Sequence, residues 1–196
     1  NMGHKVEEIA WPFDDAEVAK HYAAVAASRT GPLIDLVRRK SGTTDLMKTG
    51  LLTPLLASSL VARSRYTPAD FAQSTKYMRG LVASFDTVFK NFDVLLAPVS
   101  PVVCPRLNEH SYNDLWDAEM QDYVLSRLKF TAPVNFGEVP AMSVPLGFSA
   151  AGMPIGSHFI AARGNDRLLY ELAYELEDAK PWKNKWAPNS LQFIPV

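Results

Sequence analysis

Residues 130–161 read FTAPVNFGEVPAMSVPLGFSAAGMPIGSHFIA, with Pro133, Gly137, Pro140, Pro145, Gly147, Gly152, Pro154 and Gly156 following one another at close intervals. Proline removes a backbone donor and glycine loosens the chain, so a long helix is excluded and ladder pairing is confined to the short segments between them. The two apolar runs, AMSVPLGF and MPIGSHFIAA, flank a small-residue turn and are expected to form a buried β-hairpin. The preceding FTAPVNFG is read as a shaped loop leading into it.

Upstream of this stretch, a helix is expected from about Leu115 to Lys129, with Leu115, Met120, Tyr123, Val124 and Leu128 as its apolar positions. Before that, FDVLLAP is a continuous apolar run ended by proline, the pattern of a central strand buried on both faces. A rigid proline-rich loop, PVSPVVCPRLNEHSYND, follows it. Thr67 opens the clearest helix, with Pro68 at its first position, Asp70 at its third, and apolar residues at Phe71, Met78, Leu81, Val82, Phe85 and Phe89.

Nearer the start, Asp14 with Glu17 three residues on predicts a capping box for AEVAKHYAAVAASR, ended by Gly31 and Pro32. Its Ala-rich face, with Val18, Tyr22 and Val25, calls for close packing. LIDLVRRK is a short helix stopped at Gly42, its Arg38, Arg39 and Lys40 a solvated end, and a third helix broken at Gly50 and Pro54 runs through LLASSLVAR. HKVEEIAW is read as a short strand with Val6 and Ile9 inward, so that the chain begins in the middle of a larger structure. After the hairpin, Asn165 or Asp166 caps RLLYELAYELEDA, striped by Leu168, Leu169, Leu172 and Leu176, and an extended tail, KPWKNKWAPNSLQFIPV, closes the chain. The resulting class is α/β, a mixed β-sheet flanked by helices, with some parallel pairing and one antiparallel hairpin.

Twenty basic against twenty-one acidic residues give a formal charge of -1 with no block of one sign, which excludes a nucleic-acid binder. No apolar run of about 18 residues and no charged-then-apolar leader occurs, so no membrane association is expected. Cys104 is the one cysteine and cannot form an internal disulfide, which points to a reducing, cytoplasmic setting. Set in VVCPRL without a nearby histidine, it reads as a packed small hydrophobe rather than a nucleophile.

The search for chemistry returns few candidates. His4, His21, His110 and His158 are far apart and read as lacking ligand-spaced partners, so no metal site is expected, and His158 reads as a satisfied sheet residue. There is no nucleophile elbow, no phosphate-cradling glycine loop and no dinucleotide fingerprint, and no cofactor is expected. Ser58 and Ser59 lie in a helical segment, where a hydroxyl bonds back to the preceding turn. Asp14-Asp15, Glu7-Glu8 and Glu177-Asp178 sit at caps or exposed faces.

The order FDVLLAPVSP, then FTAPVNFGEVPAMSVPLGFSAAGMPIGSHFIAARGNDRLLYELAYELEDAKPW, resembles the carboxy-terminal portion of the amidase signature family. GHKVEEIAWP and RYTPADFAQSTKYMRGLVASFDTVF also look like segments of that family, so the likeness covers nearly the whole chain. The resemblance implies an amide hydrolase using a serine, a second serine in a cis peptide and a lysine, carried on a Gly/Ser-rich signature. No Gly-Ser-Ser-Gly run occurs here, so the chain, residues 1–196, is expected to be the back part of one amidase-like domain, without the catalytic residues.

What the resemblance assigns to this part is the substrate pocket, mapped onto Leu125, Leu128 and Ala132, with Asn135 as a further contact that otherwise satisfies nearby backbone. Phe136 is read as core. Relatives acting on glutamine in tRNA amidation carry an acid at the position of Leu128, so an aryl or alkyl amide is expected here instead. The alternatives are a binding or scaffold protein with the same sheet, or an amidotransferase A-type subunit. Implied partners are the amino-terminal half of the enzyme, a small amide, and a further copy of the chain, because half a sheet leaves apolar faces bare.

Overall fold

The computed structural model describes residues 2–187 and residue 190. Seven helices and a three-stranded sheet are present among them, which agrees with the α/β class. Helix α1 (Asp15–Ser28) starts where Asp14 accepts from the N–H groups of Ala16 and Glu17. Glu17 does not complete a capping box: its carboxylate turns along the helix to Lys20 at 3.0 Å and to the ring of His21 at 3.3 Å. Helix α2 (Gly31–Ser41) ends on left-handed Gly42, φ 70°.

The third expected helix is broken as its glycine and proline require. A short 3₁₀ turn (Leu46–Lys48) precedes α3 (Pro54–Arg63), capped by the Thr53 hydroxyl. Helix α4 (Pro68–Val88) carries a full capping box: the Asp70 N–H donates to Thr67 Oγ1 while the Thr67 N–H donates back to Asp70 Oδ2 at 2.8 Å.

Strand β1 (Val94–Pro98) pairs antiparallel with β3 (Pro154–Ala161), which pairs antiparallel with β2 (Ala141–Phe148), giving the order β1-β3-β2. The hairpin thus falls where its sequence placed it, with a bulge between Val144 and Gly147 that accommodates Pro145. Its inner end is buried through Ala161, whereas Ile155 at its outer end is exposed.

Several expectations are corrected. The parallel pairing is not found among the described residues, where both pairs are antiparallel. β1 is an edge strand rather than a central one: Leu95 and Ala97 are buried, but Leu96 is 55% exposed on the opposite face. An apolar run says that both faces tolerate burial, not that this chain covers both. Residues 4–11 form no strand, and Val6 is 87% exposed while Ile9 packs on the core. The segment read as a loop before the hairpin contains a six-residue helix, α6 (Ala132–Gly137), with Pro133 in its first turn, where a missing N–H costs nothing. Helix α5 runs from Ala118 to Arg127, capped by Asp117, and leaves Leu115 exposed in the loop before it. Cys104 is exposed rather than packed. α7 (Asp166–Ala179) begins after Asn165, which makes no side-chain cap bond, and the tail's residues 188–189 and 191–196 lie outside the described residues.

Two apolar layers hold the sheet. On one face, Leu95 and Ile160 meet Phe85 and Met78 of α4, Val134 of α6, and Phe13 and Val18. Phe85 is fully buried, and Gly137 lies so close that a Cβ there would fall 2.2 Å from its ring, which is why that position has no side chain. On the other face, Val144, Phe159 and Ala161 receive the Leu168, Leu169, Leu172 and Leu176 stripe of α7. The Ala-rich face of α1, expected to pack closely on a sheet or a neighbouring helix, packs on α4, with Val18 reaching the layer against the sheet.

Candidate functional site

A cleft of about 480 Å³ opens between α1, α3 and α5. α1 contributes Tyr22, Ala23 and Ala26, one face of a helix by their spacing, and α5 contributes Gln121, Val124 and Leu125 in the same way, with Leu128 just beyond its end. The end of α3 and the turn after it supply Ala62, Arg63, Arg65 and Tyr66; Asp70 and Trp116 complete the wall.

The loop carrying Trp116 is tied to α3. Its N–H donates to Ser58 Oγ at 2.8 Å, and the Leu55 N–H donates to the Tyr112 carbonyl at 3.2 Å. The Ser58 hydroxyl in turn donates back to the Pro54 carbonyl at 2.8 Å, so it is occupied as the helical reading expected. The Arg63 guanidinium lies 5.9 Å from the Trp116 ring centroid. Asp70 is held by donation from the Thr67 N–H and hydroxyl, bonds that keep its carboxyl below the usual range.

α5 is fixed at its carboxy-terminal end by two ties. Arg127 donates to the Tyr123 carbonyl at 2.7 Å, stacks on the Tyr123 ring and pairs with Glu109 at 3.6 Å, fastening the proline-rich loop to the helix. Lys129 pairs with Asp15 at 2.5 Å, joining the end of α5 to the start of α1. Beside that pair, Leu125, Leu128 and Ala132 border a second cavity of about 10 Å³, room for about one water. Three of the four expected pocket residues therefore come together, and Tyr22, Leu125 and Leu128 line both cavities.

Asn135 stands apart. It is exposed on α6 and borders neither cavity, and its side-chain amide makes no hydrogen bond among the described residues. Phe136 is half-buried and packs edge-on against Tyr22 with ring centroids 5.8 Å apart, a core role.

The histidines are not as isolated as their spread suggested. Glu17 lies one turn before His21 and Asp114 one turn after His110, at 3.3 and 3.4 Å. His21 is buried, stacked on Tyr77, with Nδ1 2.9 Å from Ser74 Oγ. Serine, histidine and glutamate thus follow one another as in a nucleophilic relay, yet Ser74 is 3% exposed and borders neither cavity. No carbonyl can reach it, so the three residues work as a polar tie between α1 and α4. Burial, with Asp14 and Glu17 nearby, raises the Tyr77 hydroxyl above its ordinary range. His158 is buried with Nδ1 unpartnered among the described residues, not satisfied as expected, and burial lowers its pKa.

Among the described residues no group of three or more His, Cys, Asp or Glu is arranged to hold a metal, and no helix is long and apolar enough to cross a membrane. The cleft's aromatic and arginine walls escaped the sequence reading, because Arg63 and Trp116 meet only through the folded loop. The chemistry on offer is shape, burial and positive charge.

The Amidase family model matches residues 1–170. The AmiC protein of Mycobacterium bovis, whose name describes an amidase, is 34% identical over 195 residues, which are 96% of this chain and 39% of that protein. The A-type subunit of the glutamyl-tRNA(Gln) amidotransferase of Trichodesmium erythraeum is 36% identical over 117 residues, 60% of this chain and 23% of the relative. Among solved structures, 6-aminohexanoate cyclic dimer hydrolase superposes with a TM-score of 0.71 at 26% identity, covering 92% of this chain and 38% of that enzyme. The chain therefore spans about two fifths of the length of relatives it matches along most of its own length.

Proposed function

The chain belongs to the amidase family, and from that premise we propose that it builds the substrate pocket of an enzyme that hydrolyses carbon–nitrogen amide bonds. The nucleophile belongs to the portion of the enzyme outside this chain, its amino-terminal half. The observation that carries this reading is the convergence of Leu125 and Leu128 on the cleft, with Ala132 beneath them.

Amide hydrolysis needs a nucleophile and donors aimed at the oxyanion that forms on the carbonyl. The serine hydroxyls near the cleft or in the buried relay are committed: Ser58 and Ser59 to backbone carbonyls, Ser74 to His21. An apolar wall sorts acyl groups by shape and by the water they release, which suits an aryl or alkyl amide. The likeness to an amidotransferase favours a second reading, amide transfer from glutamine. Leu128 weighs against it, since that side chain offers an incoming ammonium no charge and Asp15 beside it is already paired with Lys129.

Combining the chain with its amino-terminal half and following aniline release from an anilide tests the proposal. The expected result is hydrolysis by the complex and none by this chain alone. A well-folded complex without activity, or activity from this chain alone, overturns it.

A further inference from the structure

We propose that the cleft selects amides whose acyl arm ends in a carboxylate, received by Arg63 and Arg65. This deepens the hydrolase reading and rests on it for the identity of the scissile bond, but not for the binding itself.

Arg63 and Arg65 both line the cleft, and neither has an ion-pair partner among the described residues. The one acid in the same wall, Asp70, is ion-paired with neither arginine, its Oδ2 accepting from the Thr67 N–H at 2.8 Å and the Thr67 hydroxyl at 2.6 Å, so two cations face one carboxylate and the wall keeps a net positive charge. Arg63 is half-buried with its guanidinium 5.9 Å from the ring of Trp116, whose backbone is pinned by Ser58, so its side chain is less free than one in open water before a ligand arrives. A guanidinium fork matches a carboxylate in bidentate fashion.

The rest of the wall fixes the remainder of the ligand. Val124, Leu125 and Leu128 offer an apolar surface, and about 480 Å³ lies within the range of small-molecule sites. A phosphate ester has the same fork chemistry but brings a second negative charge toward Asp70, so a single carboxylate fits better.

Calorimetric titration of the full-length protein with the mono-anilide of succinic acid and with butyranilide decides the matter, since the two differ only in the terminal carboxylate. The acid should bind about tenfold tighter or more at low salt, and the preference should shrink as ionic strength rises. Combined Arg63→Ala and Arg65→Ala should erase the preference, Arg63→Lys should retain part of it, and Arg38→Ala, on the exposed end of α2, should keep it whole. Equal binding of the two anilides, or a preference that survives loss of both arginines in a folded variant, overturns the inference; tighter binding of phenyl phosphate than of the succinyl anilide does so too. Aniline release is scored separately. Selective binding without release breaks the hydrolase reading alone, and release without selectivity breaks this inference alone.

Discussion

Around Phe85 the chain leaves no space: α4, α6 and β3 meet so closely that Gly137 cannot carry a methyl group, and the ring is entirely out of water. At the cleft between α1, α3 and α5 the same chain leaves about 480 Å³ unfilled and lines it with half-buried aromatic rings and two arginines that have no ion-pair partner among the described residues. α1 serves both regions, with Val18 turned to the core and Tyr22, Ala23 and Ala26 turned to the cleft. The contrast teaches that the rigid element beneath the cleft is what positions it. Stability should therefore reside in the first region and ligand preference in the second.

The largest test of that division is Phe85→Ala, expected to cost about 3–5 kcal/mol of unfolding free energy in a denaturant titration because a fully buried aromatic leaves a cavity. By contrast, Arg63→Ala should change it by no more than about 0.5 kcal/mol. A comparable loss from both would dissolve the distinction. Next comes Gly137→Ala, whose added carbon would sit 2.2 Å from the Phe85 ring. Overpacking there should cost about 1–3 kcal/mol, and a neutral result would mean that α6 can move away from α4.

Thr67→Ala removes the hydroxyl that caps α4 and that also holds Asp70 in the cleft wall, and should cost about 1 kcal/mol by thermal unfolding. Because it touches both regions, it should also loosen ligand selectivity, which Phe85→Leu should not do. The smallest expected effect is on pH dependence. His158 has its folded pKa lowered by burial, so the unfolded chain binds the proton more readily. The stability this group confers is then complete above the ordinary histidine value, about 6.5, and is lost as pH falls below it. His158→Gln should flatten the acid side of a midpoint-against-pH curve, and an unchanged curve would assign that loss to other groups.

Much of this arrangement is legible in the residues themselves. Thr67, Pro68 and Asp70 announce α4 because their side chains act locally, and the hairpin follows from its prolines, glycines and small-residue turn. What escapes is whatever depends on distant covering. FDVLLAP is apolar on both sides, yet β1 lies at a sheet edge with Leu96 in water, a fact set by which strands this chain supplies. α6 was hidden because Pro133 and Gly137 read as punctuation, although a proline in a first turn and a tightly packed glycine are both compatible with a short helix. Leu125, Leu128 and Ala132, around the two cavities, are reachable only through family resemblance, and the approach of Arg63 to Trp116 arises from a loop whose path no local pattern encodes.

The claim that this wall belongs to a substrate pocket is tested most directly by Leu128→Asp in the assembled enzyme, read as kcat/KM for an uncharged anilide. Leu128 is half-buried at the junction of the two cavities and touches the edge of the core, so the fold should survive at some cost in stability while an apolar acyl group meets a charge. The account predicts a fall of about tenfold or more in kcat/KM for enzyme that circular dichroism shows to be folded under the assay conditions. An unchanged kcat/KM from a folded Leu128→Asp enzyme would contradict it.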